Sequence, residues 1–257
     1  MMKFNIHAGF QYTAYLIGWL LSNPLQFLFG IITVGVVTSR FQPLGGWTFG
    51  QVVFLYGLAI ISHGLSVVFF IQTWYIEYYV TDGQFDRMIV RPLNVFFQFC
   101  FEFFNFIGLT DLIPGVIIFI YGCIASGFQF TLVNAVKVIA VIVGATFLRG
   151  GIYTVFGSLA FWTKRSGPLT EVNLALFDYT TKYPMNIYPK LIQGLFTFLI
   201  PMGFVAYYPA SELLSIGEGF IFPGSLCVWA LVVGIGVFLL GMLLFVTGMK
   251  RYESSGS

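Results

Sequence analysis

Ionisable side chains are scarce in this sequence, so the few that interrupt its apolar stretches draw notice. Glu102, Asp111, Lys137 and Arg149 lie in or beside long hydrophobic runs. A charge in hydrocarbon is costly and usually faces a helix-bundle interior or a wet cavity. Such residues suit a substrate or ion route, and Glu102, Asp111 and Arg149 are the candidates for one. An ion pair between Arg149 and either Glu102 or Asp111 is one expectation. The plainer reading is glue between helices or a position at the interface. The rest of the chemical repertoire is thin. No G-x-x-x-x-G-K-[ST] stretch offers a phosphate-cradling loop, and H-E-x-x-H, C-x-x-C and G-x-S-x-G are missing too. His7 and His63 are far apart, and Cys100, Cys123 and Cys227 are scattered through apolar stretches. That pattern is neither a disulfide framework nor a metal site, and the cysteines read as small packing residues. No catalytic or metal-ligating residue is expected.

The elements that must position these charges follow from composition. The chain has 257 residues, 58% hydrophobic and only 9% charged, with a mean hydropathy of +0.89. A soluble domain carries about 25% charged residues. This chain could not cover a water-facing surface, which excludes a soluble enzyme, a nucleic-acid binder and a disordered chain. The net charge of +2 suggests no polyanionic partner. The lipid bilayer is the expected solvent. Six runs are long enough to cross it, at about 12–38, 51–75, 105–125, 132–162, 187–207 and 224–249. They are continuous rather than alternating, so they read as helices and not barrel strands. The expected fold is an all-α integral membrane protein, one membrane domain over 1–257. Residues 1–11 mix Phe4, Ile6 and Phe10 with Lys3, Asn5, His7 and Gln11. They suit a short interfacial helix or a plain tail and do not resemble a cleavable signal peptide. Trp47, Trp74 and Trp162 sit near span ends and read as interface anchors.

Six spans put both termini on one side. Nine basic residues fall there (Lys3, Arg87, Arg91, Lys164, Arg165, Lys182, Lys190, Lys250, Arg251), against Arg40 alone on the other. The positive-inside rule makes the nine-residue side cytoplasmic. The polar connections 77–94 and 163–184 are then cytoplasmic loops, and the connection holding Glu212 and Glu218 is external. Within it, Leu213–Ile216 could form a partly inserted hairpin.

The 77–94 connection reads EYYVTDGQFDRMIVRPLN. Gly83 and Pro92 bracket a short stretch suited to a helix with defined ends. Asp82, Asp86, Arg87 and Arg91 surround an apolar Met88-Ile89-Val90. Such a centre could enter a partner's groove while the charges set register. The plainer reading is a solvated loop whose arginines obey the positive-inside rule. Asp82-Gly83-x-x-Asp86-Arg87 is also similar to the start of the CDP-alcohol phosphotransferase signature. That signature needs further glycine and aspartate ligands, and positions 96–104 supply Phe96, Phe97, Cys100 and Phe104 instead.

A second resemblance extends further. Gly83–Asn94 resembles the loop after the second span in one branch of the ATP-binding-cassette (ABC) type-2 permeases, which reads roughly G-x-[LF]-D-x-x-L-[LV]-R-P-L. Tyr183-Pro184-x-x-Ile187-Tyr188-Pro189 resembles the approach to that branch's fifth span. Ile200-Pro201-x-Gly203 through Ala210 is similar to that span's end, and Lys250–Ser257 to the R-x-Y-x-S-x-G tail. The four stretches occur in family order. The resemblance implies a type-2 exporter permease subunit in a bacterial-type inner membrane, with no ATPase activity of its own. It implies a cytoplasmic ABC ATPase dimer that binds ATP and Mg²⁺, and a second permease chain, identical or related. It makes Asp82, Gly83, Phe85, Asp86, Arg87, Met88, Arg91 and Pro92 the coupling element. The rival expectation is a stand-alone proton-coupled carrier or channel using the intramembrane charges.

Overall fold

In the computed structural model, residues 13–40, 44–102, 105, 107–216 and 222–253 are described. The expected N-terminal interfacial helix, Glu218 and the final Ser254–Ser257 of the tail stretch lie outside them. The described chain is helical, without strands. Helix α1 is Thr13–Arg40, and α2 runs Phe49–Thr81 with a 3-10 turn at Ile71–Tyr75. Two short helices follow, α3 (Asp86–Ile89) and α4 (Val95–Cys100). Then come α5 (Ile107–Ser126), α6 (Leu132–Thr163, with a small break after Ser158) and α7 (Gly167–Thr180). The chain ends through α8 (Lys190–Leu199), α9 (Tyr207–Leu213) and α10 (Leu226–Met249).

Five described helices are long and apolar enough to cross a bilayer: α1 from Leu21, α2, α5, α6 and α10. The expected fifth span, 187–207, is not one continuous helix. Its axis turns by 80° between Lys190–Leu199 and Met202–Leu213. The cause is local. Leu195–Leu199 widens into a π-turn and Ile200 leaves the helical region at φ −124° and ψ 87°. Pro201 follows it, and proline both lacks an amide donor and pushes its predecessor out of the helical region. Two connections also carry more helix than expected. The 77–94 stretch begins inside α2, and 163–184 holds the whole of α7, which starts on Gly167-Pro168. Proline suits a first helical turn, where its missing N–H has no intrahelical partner to lose.

Backbone approach between helices organises the bundle. α2 packs principally on α5, and α6 on α10. Glycines recur every seven residues along each seam: Gly50, Gly57 and Gly64 on α2, and Gly108, Gly115 and Gly122 on α5. A seven-residue period keeps a residue type on nearly one helix face. A Cβ on Gly57 would stand 2.5 Å from the Phe119 backbone, and one on Gly122 equally close to Phe54. On the second seam, Gly144 and Gly151 of α6 face Gly234 and Gly241 of α10. Small residues at such positions let helices approach closely where no hydrophobic effect drives them together.

α1 packs at the periphery on α2 and α5 and leaves Leu21, Leu25, Phe29 and Ile32 exposed. Trp47, expected as an interface anchor, is instead buried against Tyr207, with ring centres 5.8 Å apart. Trp162 is exposed, and Trp74 faces an internal cavity.

Candidate functional site

Two polar regions stand out, one at the end of the bundle that carries the 77–94 connection and one inside it. The first is built on α2, α3 and α4. α2 ends at Thr81 with Asp82 as its C-cap, and Gly83 takes φ +67°, a conformation side chains rarely adopt. The chain turns there into α3. Phe85 and Met88 point inward and are fully or almost fully buried. The Phe85 ring meets Tyr79, Phe99, Phe161, Phe245 and Tyr252 at centre distances of 5.3–5.8 Å. This aromatic cluster ties the turn to α2, α4, α6 and the end of α10. Asn94 caps α4 by accepting the Phe96 and Phe97 amides. Gln98 donates to the carbonyls of Met88 (3.3 Å) and Leu93 (2.9 Å), closing the turn on itself.

The expected apolar triplet is therefore split. Met88 belongs to the base, while Ile89, Val90 and Leu93 project outward, Val90 with 81% of its surface exposed. Asp82, Asp86, Arg91 and Pro92 are exposed around them, and Gly83 is half-buried. Asp86 lies beside the Tyr252 phenol. Burial first, and then this carboxylate, push that phenol up to about 12.

Two acidic residues of this region have close donors. Glu102 accepts from Arg87 and from the Tyr79 hydroxyl, each at 2.6 Å. Glu77 accepts from the Ser166 and Gly167 amides at the start of α7. A carboxylate there satisfies unpaired amides and complements the helix dipole. Glu77 thus joins the two polar connections, a link between residues 89 and 90 positions apart that no local signal in the sequence announces.

The second region is a cavity of about 320 Å³ between α1, α2, α5, α6 and α7. Asn23, His63, Asp111, Arg149, Phe177 and Asp178 reach it, one or more from each helix. The expected ion pair of Arg149 is not formed, because each partner is turned elsewhere. Glu102 faces Arg87 at the bundle end. Asp111 shares the cavity with Arg149 but accepts from Asn23 at 2.5 Å and lies 3.7 Å from His63. Arg149 is 3% exposed and sits over the Phe177 ring, 4.4 Å from its centre. Its hydrogen bonds to Ser62 Oγ and the Ala59 carbonyl are both 3.4 Å long. Lys137, the other intramembrane cation, does find a carboxylate. It pairs with Glu212 of α9 at 2.6 Å, and Ser225 and the Cys227 amide also donate to Glu212. The bent α8–α9 segment is thereby pinned to α6 and α10. The sequence places Glu212 in an external loop and gives no sign of this pairing.

No curated protein and no solved structure matches the chain. A family model does, over residues 24–256, and its description is ABC-2 family transporter protein. That match takes in all six expected spans except the start of the first, both polar connections and the cavity helices, so the chain belongs to the ABC-2 transporter family as a multi-pass membrane permease.

Proposed function

We propose that this permease is the membrane subunit of an exporter driven by a separate ATPase pair. On this reading the ATPase binds ATP and Mg²⁺ and docks on the outward tip of the 77–94 connection. A second permease chain, identical or related, completes the membrane dimer. Both termini and both polar connections face the cytoplasm of a bacterial-type cell, and the chain sits in its inner membrane. Family membership supports the permease role. The form of the tip supports the docking site: Ile89, Val90 and Leu93 are exposed together on a turn whose base, Phe85 and Met88, is buried. An apolar centre rimmed by Asp82, Asp86, Arg91 and Pro92 has the character of an interface core with a polar rim. Arg87, held by Glu102, serves on this reading to stiffen the tip.

Co-purification tests the reading. The chain is expressed with its neighbouring genes, purified in mild detergent and assayed for ATP hydrolysis, beside a Val90→Asp/Arg91→Glu variant. A bound ATPase lost in the variant supports role and docking site together. An ATPase bound equally by the variant moves the docking site, with α7 as the next surface. Absence of any bound ATPase favours the stand-alone carrier, for which His63, Asp111 and Asn23 in the cavity would be the working residues.

A further inference from the structure

Arg149 is a buried guanidinium at mid-length of α6, and among the described residues no Asp or Glu oxygen lies within 4.0 Å of it. An unpaired charge held in a low-dielectric interior is costly, and intramembrane arginines normally pair. The acids nearest in the cavity are otherwise engaged. Asp178 acts on Arg149 at longer range but is held by Lys182 at 2.7 Å, and Asp111 accepts from Asn23. Guanidinium offers five N–H donors in a fork suited to carboxylate or phosphate. Arg149 uses them on two long contacts of 3.4 Å and an interaction with the Tyr153 hydroxyl. Trp74 lies on the same lining. The buried Trp74 indole N–H has no hydrogen-bond partner. Buried donors of this kind call for an explanation, and an acceptor supplied by a ligand is one. The rest of the lining sets apolar Phe27, Ile60, Val67 and Leu174 beside polar residues that include Asn23, His63, Asp111 and Asp178. Gln26 and Tyr75 lie on the lining and are exposed, which leaves the cavity open at its rim.

We propose that this cavity binds an anionic amphiphile, with its carboxylate or phosphate head on Arg149 and Trp74 and its apolar part along the walls. The head supplies the direct ion pair Arg149 lacks, and the apolar part of the lining favours an apolar tail. Naming the ligand as cargo rests on the permease reading; the binding itself does not.

Binding is therefore measured on the full chain alone, in phosphatidylcholine nanodiscs without an ATPase, using radiolabelled decanoate and subtracting protein-free nanodiscs. Decyl phosphate, decanol and acetate serve as competitors. Saturable decanoate binding is expected, displaced by decyl phosphate and not by decanol or acetate. Arg149→Gln should weaken it about tenfold or more, since hydrogen bonds to charged groups are the strong ones. Arg149→Lys should restore part of the affinity, and Trp74→Phe should weaken it less than Arg149→Gln. Decanol competing as well as decyl phosphate, or Arg149→Gln binding like wild type, overturns the proposal. Acetate competing as well as decyl phosphate overturns the amphiphile class. Should Arg149→Gln fail to fold, the competitor series on the wild type decides by itself. Failure of this binding leaves the co-purification result standing, and the converse also holds.

Discussion

Two acidic residues at the loop end of the bundle and Arg149 inside it are handled in opposite ways. Glu77 and Glu102 each find close donors, from the α7 amides and from Arg87 with Tyr79. Arg149 finds long neutral contacts and an aromatic face. A paired charge near water contributes modestly and fixes register. An unpaired buried charge costs stability and is retained where it meets something not always present. The difference separates a region built to be rigid from one built to receive a ligand.

Variants can break or sharpen that contrast. Phe85→Ala should have the largest effect. It empties the centre of the aromatic cluster that anchors the tip and should cost about 3 kcal/mol or more. A matching loss of thermal stability in detergent would mark the loop end as the rigid region. Glu77→Ala comes next. Removing the acceptor of two α7 amides should lower stability by about 1–2 kcal/mol, with Glu77→Gln losing less. An unchanged melting temperature would remove the link between the polar connections. The Arg87–Glu102 pair is smaller, because Arg87 is half exposed. A double-mutant cycle with Arg87→Ala and Glu102→Gln should give a coupling of about 0.5–1 kcal/mol, weakened by salt. Arg149→Met should have the least effect on stability, or raise it, since an apolar side chain of similar size relieves an unpaired buried charge. A large loss there would show that Arg149 is structural and erase the contrast.

Much of this arrangement is legible in the sequence, and the illegible part has a common cause. Charge scarcity identifies the bilayer, and continuous apolar runs place α1, α2, α5, α6 and α10. Gly83 and Pro92 bracket the tip as their backbone preferences dictate. The seven-residue spacing of Gly50, Gly57 and Gly64 with Gly108, Gly115 and Gly122 is also readable. It hides behind the 29 glycines of the chain unless the period is sought. Pro201 marks the break in the expected fifth span, although the apolar run passes through it. Pairings between distant elements are different. Glu102 reads as a member of the third span, and only the fold-back of 82–101 turns it to Arg87. Asp111 lies on the right helix to meet Arg149, and rotation of α5 gives it to Asn23 instead. Residue type and spacing place a charge along a helix. Its partner depends on helix rotation and on how connections fold back.

Cavity and tip together imply that ligand in the cavity is coupled through the tip to an ATPase. The most direct test is ATP hydrolysis by the co-purified complex, with and without decanoate, in wild type and Arg149→Gln, beside decanoate binding in both and in Val90→Asp/Arg91→Glu. Decanoate should change the wild-type rate and leave that of Arg149→Gln unchanged, while Val90→Asp/Arg91→Glu, stripped of its ATPase, still binds decanoate and Arg149→Gln binds it weakly. A decanoate response of the ATPase that survives in Arg149→Gln would contradict this coupling.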